Sequence, residues 1–280
     1  IDFDSSASDI PHFIAVDKIN NYWFVTTIAS GFVGRFDLTT NSLIDAIVVS
    51  DSPALMTLNE ANKKLYVSRM MPMGGMMAGG ISTVVQEIDY IQMDSMTLSN
   101  EFSVHSPAPH GLAINSTGSE VYVASNTADW LWKINPLDQT VMGEIMDSNI
   151  GNAPDIVTQR LKPIQIASID DSLLIVSCSG GIWYNSNTQQ QDTLLGMVQL
   201  WNSNTLTLID TLQFSWNSTP WHVIQSPVKR EVYVVLSGDV LYAGSAGLAA
   251  VTFESNVLKL KWATFSNSFQ TLHGVDISSN

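Results

Sequence analysis

The sequence predicts an all-β fold, a β-propeller made of four-stranded antiparallel blades. Three observations predict it: a strand-turn-strand pattern that recurs five times, period-two alternation rich in Val, Ile, Tyr and Trp, and the lack of any convincing helical period in a window of a dozen residues. Repeated four-stranded units of about 40–50 residues are typical of propeller blades. A β-sandwich has strands of similar length, but it does not repeat one four-strand unit five times.

Each unit begins with a Pro and a short apolar strand, and a polar turn then leads into a second alternating strand. In the third unit these two strands are residues 109–114 and 120–123. The second half of a unit adds a strand, an Asp or Asn corner and a return strand, as in residues 34–43, 132–141 and 199–208. Asp and Asn suit that corner because their side chains bond to the backbone two residues on and tolerate left-handed geometry.

We therefore predict a single propeller domain over residues 1–280. Its blades span approximately residues 11–52, 53–108, 109–162, 163–219 and 220–271, and residues 272–280 begin a further blade. The residues outside the five units are too few for another four-stranded blade. We accordingly expect the domain to be incomplete at its C-terminus, with the native polypeptide continuing beyond Asn280 and beginning before Ile1.

The charge of the chain excludes two classes of partner. The 280 residues carry 12 Lys and Arg against 26 Asp and Glu, a formal net charge of -14. Such a chain repels nucleic-acid phosphates and anionic bilayers, and no cluster of basic residues offsets the repulsion locally. The longest apolar runs are far shorter than the roughly 20 residues of a membrane-spanning helix. We expect a protein partner or self-assembly at the cell surface, including a homo-oligomer.

The composition of the surface indicates the compartment. Charged residues make up only 14% of the chain, while Asn, Ser, Thr and Gln are abundant. This pattern favours an extracellular, cell-surface or periplasmic location. The single cysteine, Cys178, permits no internal disulfide. It lies in an apolar strand-like run, so we expect a packed core thiol rather than a reactive one.

The third unit resembles a known family of repeats. Residues 109–141 read Pro-His-Gly-Leu-Ala-Ile, then Glu-Val-Tyr-Val-Ala-Ser-Asn, then Leu-Trp-Lys-Ile-Asn-Pro and Thr-Val. This sequence resembles the YVTN repeats of YncE-like β-propellers, which are distantly similar to the propellers of surface-layer proteins, nitrous-oxide reductase and the cytochrome domain that holds heme d1. The resemblance implies a ring of six or seven blades. It does not specify a function, because such propellers serve as binding platforms, scaffolds and holders of redox cofactors.

Four of the five histidines occupy nearly the same repeat position. His12, His110 and His273 directly follow the Pro or its equivalent, and His222 lies one residue later. The strand that contains them is the innermost one of a propeller blade, so they are predicted to converge on one mouth of the central channel. There they would bind copper or zinc, or ligate a heme. The alternative, which we favour, is a structural role in which the ring bonds to a neighbouring backbone carbonyl.

A methionine-rich stretch lies between two strands of the second blade. It comprises residues 69–80 and contains Met70, Met71, Met73, Met76 and Met77. Thioethers are soft ligands that select Cu(I). An adaptable apolar loop also suits a protein contact, and a packed loop without a special role is a third interpretation.

The sequence contains no catalytic motif that we can identify. We find no nucleophile elbow, phosphate loop, zinc-protease helix or calcium loop. We therefore predict a non-enzymatic binding or scaffold module. The alternative is a periplasmic redox or metal-binding propeller that holds copper or heme with its channel histidines. A propeller enzyme that acts on sugars or lactones is a weaker third possibility, because no acid/base pair can be nominated.

Overall fold

The structure is a computed structural model that describes residues 9–49, 52–69, 87–147, 149, 153–185, 189–269 and 271–277. These residues form five four-stranded antiparallel sheets and one two-stranded hairpin. The five sheets are the predicted blades, so the predicted propeller fold is confirmed. The methionines of the Met-rich stretch, residues 70–77, lie outside the described residues.

The first three blades follow the simple order of four consecutive strands. Blade one comprises β1 (Pro11–Asp17), β2 (Tyr22–Thr27), β3 (Phe32–Asp37) and β4 (Leu43–Val48). Blade two comprises β5 (Pro53–Asn59), β6 (Lys64–Arg69), β7 (Glu87–Gln92) and β8 (Thr97–Ser103). Blade three comprises β9 (Pro109–Ile114), β10 (Val121–Ser125), β11 (Trp130–Ile134) and β12 (Val141–Ile145).

The fourth blade carries an insertion. Its sheet comprises β13 (Pro163–Ile169), β14 (Leu173–Cys178), β17 (Met197–Asn202) and β18 (Thr207–Gln213). Between β14 and β17 the chain forms a separate hairpin of β15 (Gly181–Asn185) and β16 (Gln190–Leu194). Blade five comprises β19 (Pro220–Gln225), β20 (Glu231–Leu236), β21 (Gly247–Thr252) and β22 (Lys259–Phe265). Trp183 and Tyr184 follow Gly180 and Gly181, which predicts a loop from the sequence. The loop prediction is wrong, because both residues lie in strand β15.

The corner between the third and fourth strands of a blade is closed as predicted. The carboxylate of Asp37 accepts hydrogen bonds from the backbone N–H groups of Thr39 (2.9 Å) and Thr40 (2.7 Å). Asn135 and Asn202 accept equivalent bonds from residues two positions on, at 2.9 Å in both cases. These side chains fix the turn locally, and each return strand can therefore begin after only a few residues.

The first strand of each blade is the innermost strand. Strands β1, β5, β9, β13 and β19 contact one another in that order around the axis. Four apolar clusters fill the spaces between successive blades: one and two, two and three, three and four, and four and five. Cys178 is fully buried in the cluster between blades three and four, and burial raises the pKa of its thiol. The predicted core role of this cysteine is confirmed.

A buried ion pair joins two strands of blade two. The Arg69 guanidinium, at the end of β6, donates from Nη1 and Nη2 to the two carboxylate oxygens of Asp89, at 2.8 Å and 3.0 Å. Both side chains are almost completely inaccessible to water. A bidentate ion pair of this kind fixes the position of β6 relative to β7.

Candidate functional site

The long connections of the propeller gather at one end. Each first strand begins opposite the last residue of the second strand, as Pro109 does opposite Ser125. The Pro-His positions, the connections between second and third strands and the connections between blades therefore share this end, which we call the loop end. The opposite end carries the turns between first and second strands and between third and fourth strands. We call it the turn end.

Two of the predicted histidines meet at the axis. The rings of His12, from blade one, and His110, from blade three, lie with centroids 6.3 Å apart in an edge-to-face arrangement. His110 is buried, and its Nδ1 lies 2.7 Å from the backbone carbonyl oxygen of Ile164 in blade four. Because a carbonyl oxygen only accepts, Nδ1 carries the proton and donates it. The Nε2 of His110 is consequently an acceptor, and it is buried without a hydrogen-bond partner.

The bond from His110 to Ile164 belongs to a recurring type of contact between blades. The hydroxyl of Thr26 donates to the carbonyl of Ala54 in the next blade at 2.8 Å, and the amide of Asn126 donates to the carbonyl of Pro163 at 3.1 Å. Such bonds satisfy carbonyls at the starts of the inner strands and connect each blade to its successor. The bond to a neighbouring backbone carbonyl that the structural interpretation expects for His110 is present, and the following blade supplies the carbonyl.

The other two histidines lie beside the C-terminal segment. The ring of His273 stacks on Trp221 of blade five, with centroids 5.0 Å apart and planes inclined by 29°. Residues 271–277 form no strand. Beside the larger effect of burial, His273 contributes to lowering the pKa of His12. Asp276 partly opposes the effect of burial on His222 by raising its pKa. The stacking of His273 on Trp221 places this segment beside the inner strand of blade five.

The axial histidines are neutral at pH 7. Burial lowers the pKa of His110 to about 4, the bond to Ile164 opposes this change, and His12 reinforces it. Burial is also the main cause of the lowered pKa of His12, with His273 as the second cause. Burial lowers the pKa of His222 as well, against the raising effect of Asp276. Neutral imidazole is the form that can bind a metal.

The histidines are not assembled into a complete metal site. Within the described ranges, no group of three or more His, Cys, Asp or Glu side chains is placed to hold a metal ion. The rings of His12 and His110 lie side by side. His273 interacts with His12 through its charge, and His222 interacts in the same way with Asp276. Copper, zinc or heme binding by His12, His110, His222 and His273 remains a prediction.

The loop end also exposes apolar side chains, of which the sequence pointed only to Tyr184. Tyr184, on the hairpin of blade four, is 53% exposed, and Leu241, in the connection between β20 and β21, is 81% exposed. Further exposed apolar residues at this end are Ile10, Ile156, Ile182, Leu195, Val240 and Tyr242. Most of this set lies on blades four and five and on the connection that precedes blade four. A concentration of exposed apolar residues is typical of an interaction surface.

The connection from blade three to blade four is held by buried acids. Asp129 accepts hydrogen bonds from the Thr158 hydroxyl (2.8 Å) and from the N–H groups of Arg160 and Lys162 (both 2.9 Å). Burial raises the pKa of Asp129, and these bonds oppose the change. Arg160 in turn donates to Asp147 at 2.7 Å and lies 4.3 Å above the ring of Trp183. The inserted hairpin is therefore anchored to a fixed connection.

The aromatic residues of the blades otherwise serve packing. Trp201 and Trp132 are buried between adjacent sheets. Among the residues with described positions, no helix has both the length and the apolar character needed to cross a membrane.

No protein-family model and no curated protein sequence matches the chain. Solved structures do match. Hydrazine synthase of Kuenenia stuttgartiensis is 13% identical with a TM-score of 0.69, over 91% of this chain and 66% of that chain. A chain of the mitotic checkpoint complex is 12% identical with a TM-score of 0.64, over 92% and 65%. The chain thus spans just under two thirds of the length of either protein.

A third match is a chain of the nidogen/laminin complex. It is 12% identical with a TM-score of 0.64, over 95% of this chain and 84% of that chain. Identities this low show a shared fold alone. They agree with the propeller architecture, whereas the specific YncE-like relationship stays a prediction.

Proposed function

We propose that the chain is a non-enzymatic binding or scaffold propeller that acts outside the cytoplasm and contacts a protein partner with its loop end. The observation that carries this proposal is the set of exposed apolar side chains on the hairpin of blade four and on the 240–242 connection of blade five. Two of the similar folds are chains of protein complexes, the mitotic checkpoint complex and the nidogen/laminin complex, which supports a contact role.

Two exposed tyrosines of this surface, Tyr184 and Tyr242, are held in place by contacts within the protein. Tyr184 donates a hydrogen bond to the Gln189 side chain at 2.6 Å within its hairpin, and Tyr242 packs edge-to-face on Trp216 with centroids 4.9 Å apart. Side chains held in this way lose little conformational freedom on binding, and Tyr is enriched in protein interfaces. The loop end therefore presents preorganised apolar groups to a partner.

Site-directed photocrosslinking tests this assignment. A photoreactive phenylalanine at Tyr184 is expected to capture one discrete partner in extracts of the source cells. The same residue at Leu137, which is 93% exposed at the turn end, is the matched control and is expected to capture none. The double substitution Leu241→Ser with Tyr242→Ser should abolish capture from position 184. Equal capture from both ends would contradict a binding face at the loop end.

The proposed compartment has its own test. The low share of charged residues supports an extracellular, cell-surface or periplasmic location. Fractionation of the source cells is expected to recover the protein outside the cytoplasm. Recovery in the cytoplasmic fraction would contradict this part of the proposal and leave the contact surface unaffected.

A second candidate function is a periplasmic redox or metal-binding propeller. One observation favours it: the Nε2 of His110 is an acceptor, buried without a partner, beside the ring of His12. Its Nδ1–H is bonded to a backbone carbonyl, which is how metal-ligating histidines are usually oriented. His110 and His12 would supply the ligands, and a bound copper ion or heme would supply one-electron chemistry.

Metal analysis and a visible absorption spectrum of the purified protein separate the two functions. Stoichiometric copper that is lost in His110→Gln, or a heme band, would support the second function. The exposed His105 offers a control, since His105→Gln should leave any metal content unchanged. A colourless, metal-free protein that takes up no copper on titration would remove the second candidate.

A further inference from the structure

A cavity lies at the turn end, between blades two and three. Its volume is about 480 Å³, which falls within the range of small-molecule sites. Blade two contributes Asn62, Lys64 and Tyr66 to its wall, and blade three contributes residues 117–119 and 135–137. None of these residues belongs to the loop end or to the axial histidines. The cavity is therefore separate from both sites described above.

Contacts between the two blades hold one wall of the cavity in place. The Asn59 side chain of blade two donates from Nδ2 to the Gly118 carbonyl of blade three at 3.1 Å. Gly118 has a φ of +70°, and a Cβ at this position would overlap the Asn59 amide, so the close approach requires glycine. The Asn115 side chain closes the same turn by accepting a hydrogen bond from the Ser119 N–H at 2.9 Å. The turn that borders the cavity is thus fixed by contacts within the protein.

One repeat position in this cavity carries the opposite charge to its equivalents. In three blades, the residue paired with the fifth position of the first strand is a tyrosine. In blades three and five its hydroxyl donates to a glutamate two residues earlier: Tyr122 to Glu120 at 2.6 Å and Tyr233 to Glu231 at 2.8 Å. In blade two the tyrosine is Tyr66, and the residue two positions earlier is Lys64. Blade two therefore has a cation where the other two blades have a carboxylate.

Tyr66 consequently lacks the acceptor that its equivalents have. Its side chain is completely buried, and its hydroxyl oxygen has no hydrogen-bond partner among the described residues. Burial raises the pKa of Tyr66, and Tyr90 adds to this effect, so the hydroxyl keeps its proton at neutral pH. A buried donor without a partner is unfavourable, so an acceptor that reaches it is stabilised.

Lys64 adds a positive charge beside this hydroxyl. Its Nζ lies 4.9 Å from the centroid of the Tyr90 ring, and Tyr90 stacks on Tyr66 with centroids 5.4 Å apart. Lys133, on the neighbouring blade, pairs with Glu120 at 3.3 Å. No carboxylate in the described part of the chain is paired with Lys64 in this way. A hydroxyl donor and an ammonium group thus meet where a glutamate carboxylate stands in two other blades.

We propose that this cavity binds a small hydroxylated carboxylic acid, of the size and chemistry of a uronic acid, with its carboxylate between Tyr66 and Lys64. The ligand carboxylate would take the place that a glutamate side chain fills in blades three and five. Because the Tyr66 hydroxyl is buried, the ligand reaches it as the Lys64 side chain, which is partly exposed, moves outward. Tyr66 would then donate to one carboxylate oxygen, and Lys64 would pair with the other.

The remaining groups of the wall favour this class of ligand over others. Asn62 offers a side-chain amide, and Thr117 and Ser119 offer hydroxyls, which suit the hydroxyl groups of a sugar acid. A single lysine balances the single charge of a carboxylate, whereas a phosphate group carries about -1.5 to -2. The apolar sides of Pro136 and Leu137 can pack against the carbon atoms of the ring.

Ligand-detected NMR titration of the full chain tests the ligand class. D-glucuronate and D-galacturonate are the probes, and D-glucose is the matched control because a hydroxymethyl group replaces the carboxylate. At least one uronate is expected to bind at one site, and glucose should bind at least ~10-fold more weakly, since a charge-assisted hydrogen bond is lost. Acetate, which has a carboxylate and no hydroxyls, should also bind more weakly than the uronate. Absence of binding by both uronates, or equal affinity for glucose or acetate, would overturn the proposal.

Two substitutions in the cavity test the assigned residues. Lys64→Glu gives blade two the pair that blades three and five have, so it should be at least as stable as wild type to urea and should bind the uronate at least ~30-fold more weakly. Tyr66→Phe should remain folded and bind the uronate at least ~10-fold more weakly, because the donor is removed. Wild-type affinity in Lys64→Glu would overturn the proposal.

Two control variants complete the design. Lys259→Glu makes the same change of charge at an exposed position of blade five and should bind the uronate as wild type does. An equal loss of affinity in Lys259→Glu would overturn the assignment to Lys64, because net charge alone would then explain the effect. The loop-end variant Leu241→Ser with Tyr242→Ser should also keep wild-type affinity, which separates this test from the test of partner binding.

Discussion

Replacing His110 with Gln should reduce the stability that the protein loses as the pH falls from 6.5 to 4. Burial lowers the pKa of His110 from its ordinary 6.5 to about 4. Below pH 6.5 the unfolded chain binds a proton that the folded chain rejects, so the free energy of unfolding falls as pH decreases. The fall continues until the folded state also binds the proton near pH 4. Since each pKa unit is about 1.4 kcal/mol, His110 alone accounts for roughly 3 kcal/mol over this range.

Gln preserves the donor to the Ile164 carbonyl and removes the titrating group. We expect His110→Gln to be less stable than wild type by about 0.5–1.5 kcal/mol at pH 7.5, through poorer packing and hydrogen bonding. Between pH 6.5 and 4 it should then lose roughly 3 kcal/mol less than wild type does. Carboxyl groups titrate in both proteins, so the difference between them isolates the histidine.

Urea unfolding at intervals of pH, followed by tryptophan fluorescence, measures the effect. His105→Gln makes the same exchange at an exposed histidine and is the matched control for the substitution itself. Parallel profiles for His110→Gln and wild type would refute the account of a buried, neutral histidine bonded to the next blade. A residual slope in His110→Gln is expected from His12 and His222, whose pKa values burial also lowers.

Five further substitutions test the packing by urea unfolding at pH 7.5. Ile166→Ala should lower the free energy of unfolding by about 2–5 kcal/mol, because Ile166 is buried between two blades. Ile14→Ala, at the same repeat position but exposed, should lower it by under about 1 kcal/mol. Equal losses would mean that the Ile14 side chain is buried as well. Arg69→Met should cost about 3–5 kcal/mol by removing both guanidinium hydrogen bonds from the buried Asp89 carboxylate. Adding Asp89→Leu should recover stability, and a double variant no better than the single one would contradict the ion pair. Asp129→Asn should lower the free energy of unfolding by about 1–3 kcal/mol, because an amide N–H group would face backbone N–H donors. A change within about 0.5 kcal/mol would argue against the role of Asp129 in holding the connection before blade four.

The sequence predicts the blades well because their signals are local. Alternation of apolar residues marks each strand, and Asp37, Asn135 and Asn202 bond to backbone only two residues away. The inner position of the first strands follows from the repeat, since equivalent positions in successive blades converge on the axis. The shared position of His12 and His110 therefore predicted their meeting at one mouth of the channel.

Features that depend on contacts between blades were not predictable in the same way. The carbonyl that binds His110 belongs to Ile164, in the following blade, and no local pattern identifies it. The hairpin of blade four was missed because its second strand, Gln190–Leu194, is mostly polar and shows no apolar alternation. Asp129 has the sequence context of an ordinary turn residue, and only its burial reveals that it holds a distant connection.

Self-assembly at the cell surface, including a homo-oligomer, stays a prediction from the sequence.

Thiol labelling at the fourth residue of each first strand tests the packing between blades most directly. The labelling rate of a cysteine placed at the equivalent position measures how accessible that face of each blade is to water. The five positions are Ile14, Met56, Leu112, Ile166 and Val223. The buried native Cys178 serves as an internal standard for a protected thiol. In dilute protein, only Ile14→Cys should react at the rate of the urea-unfolded chain, because Ile14 is 58% exposed whereas the equivalent residues of the other four blades are buried. Protection of Ile14→Cys equal to that of the other four in dilute protein would contradict an uncovered face.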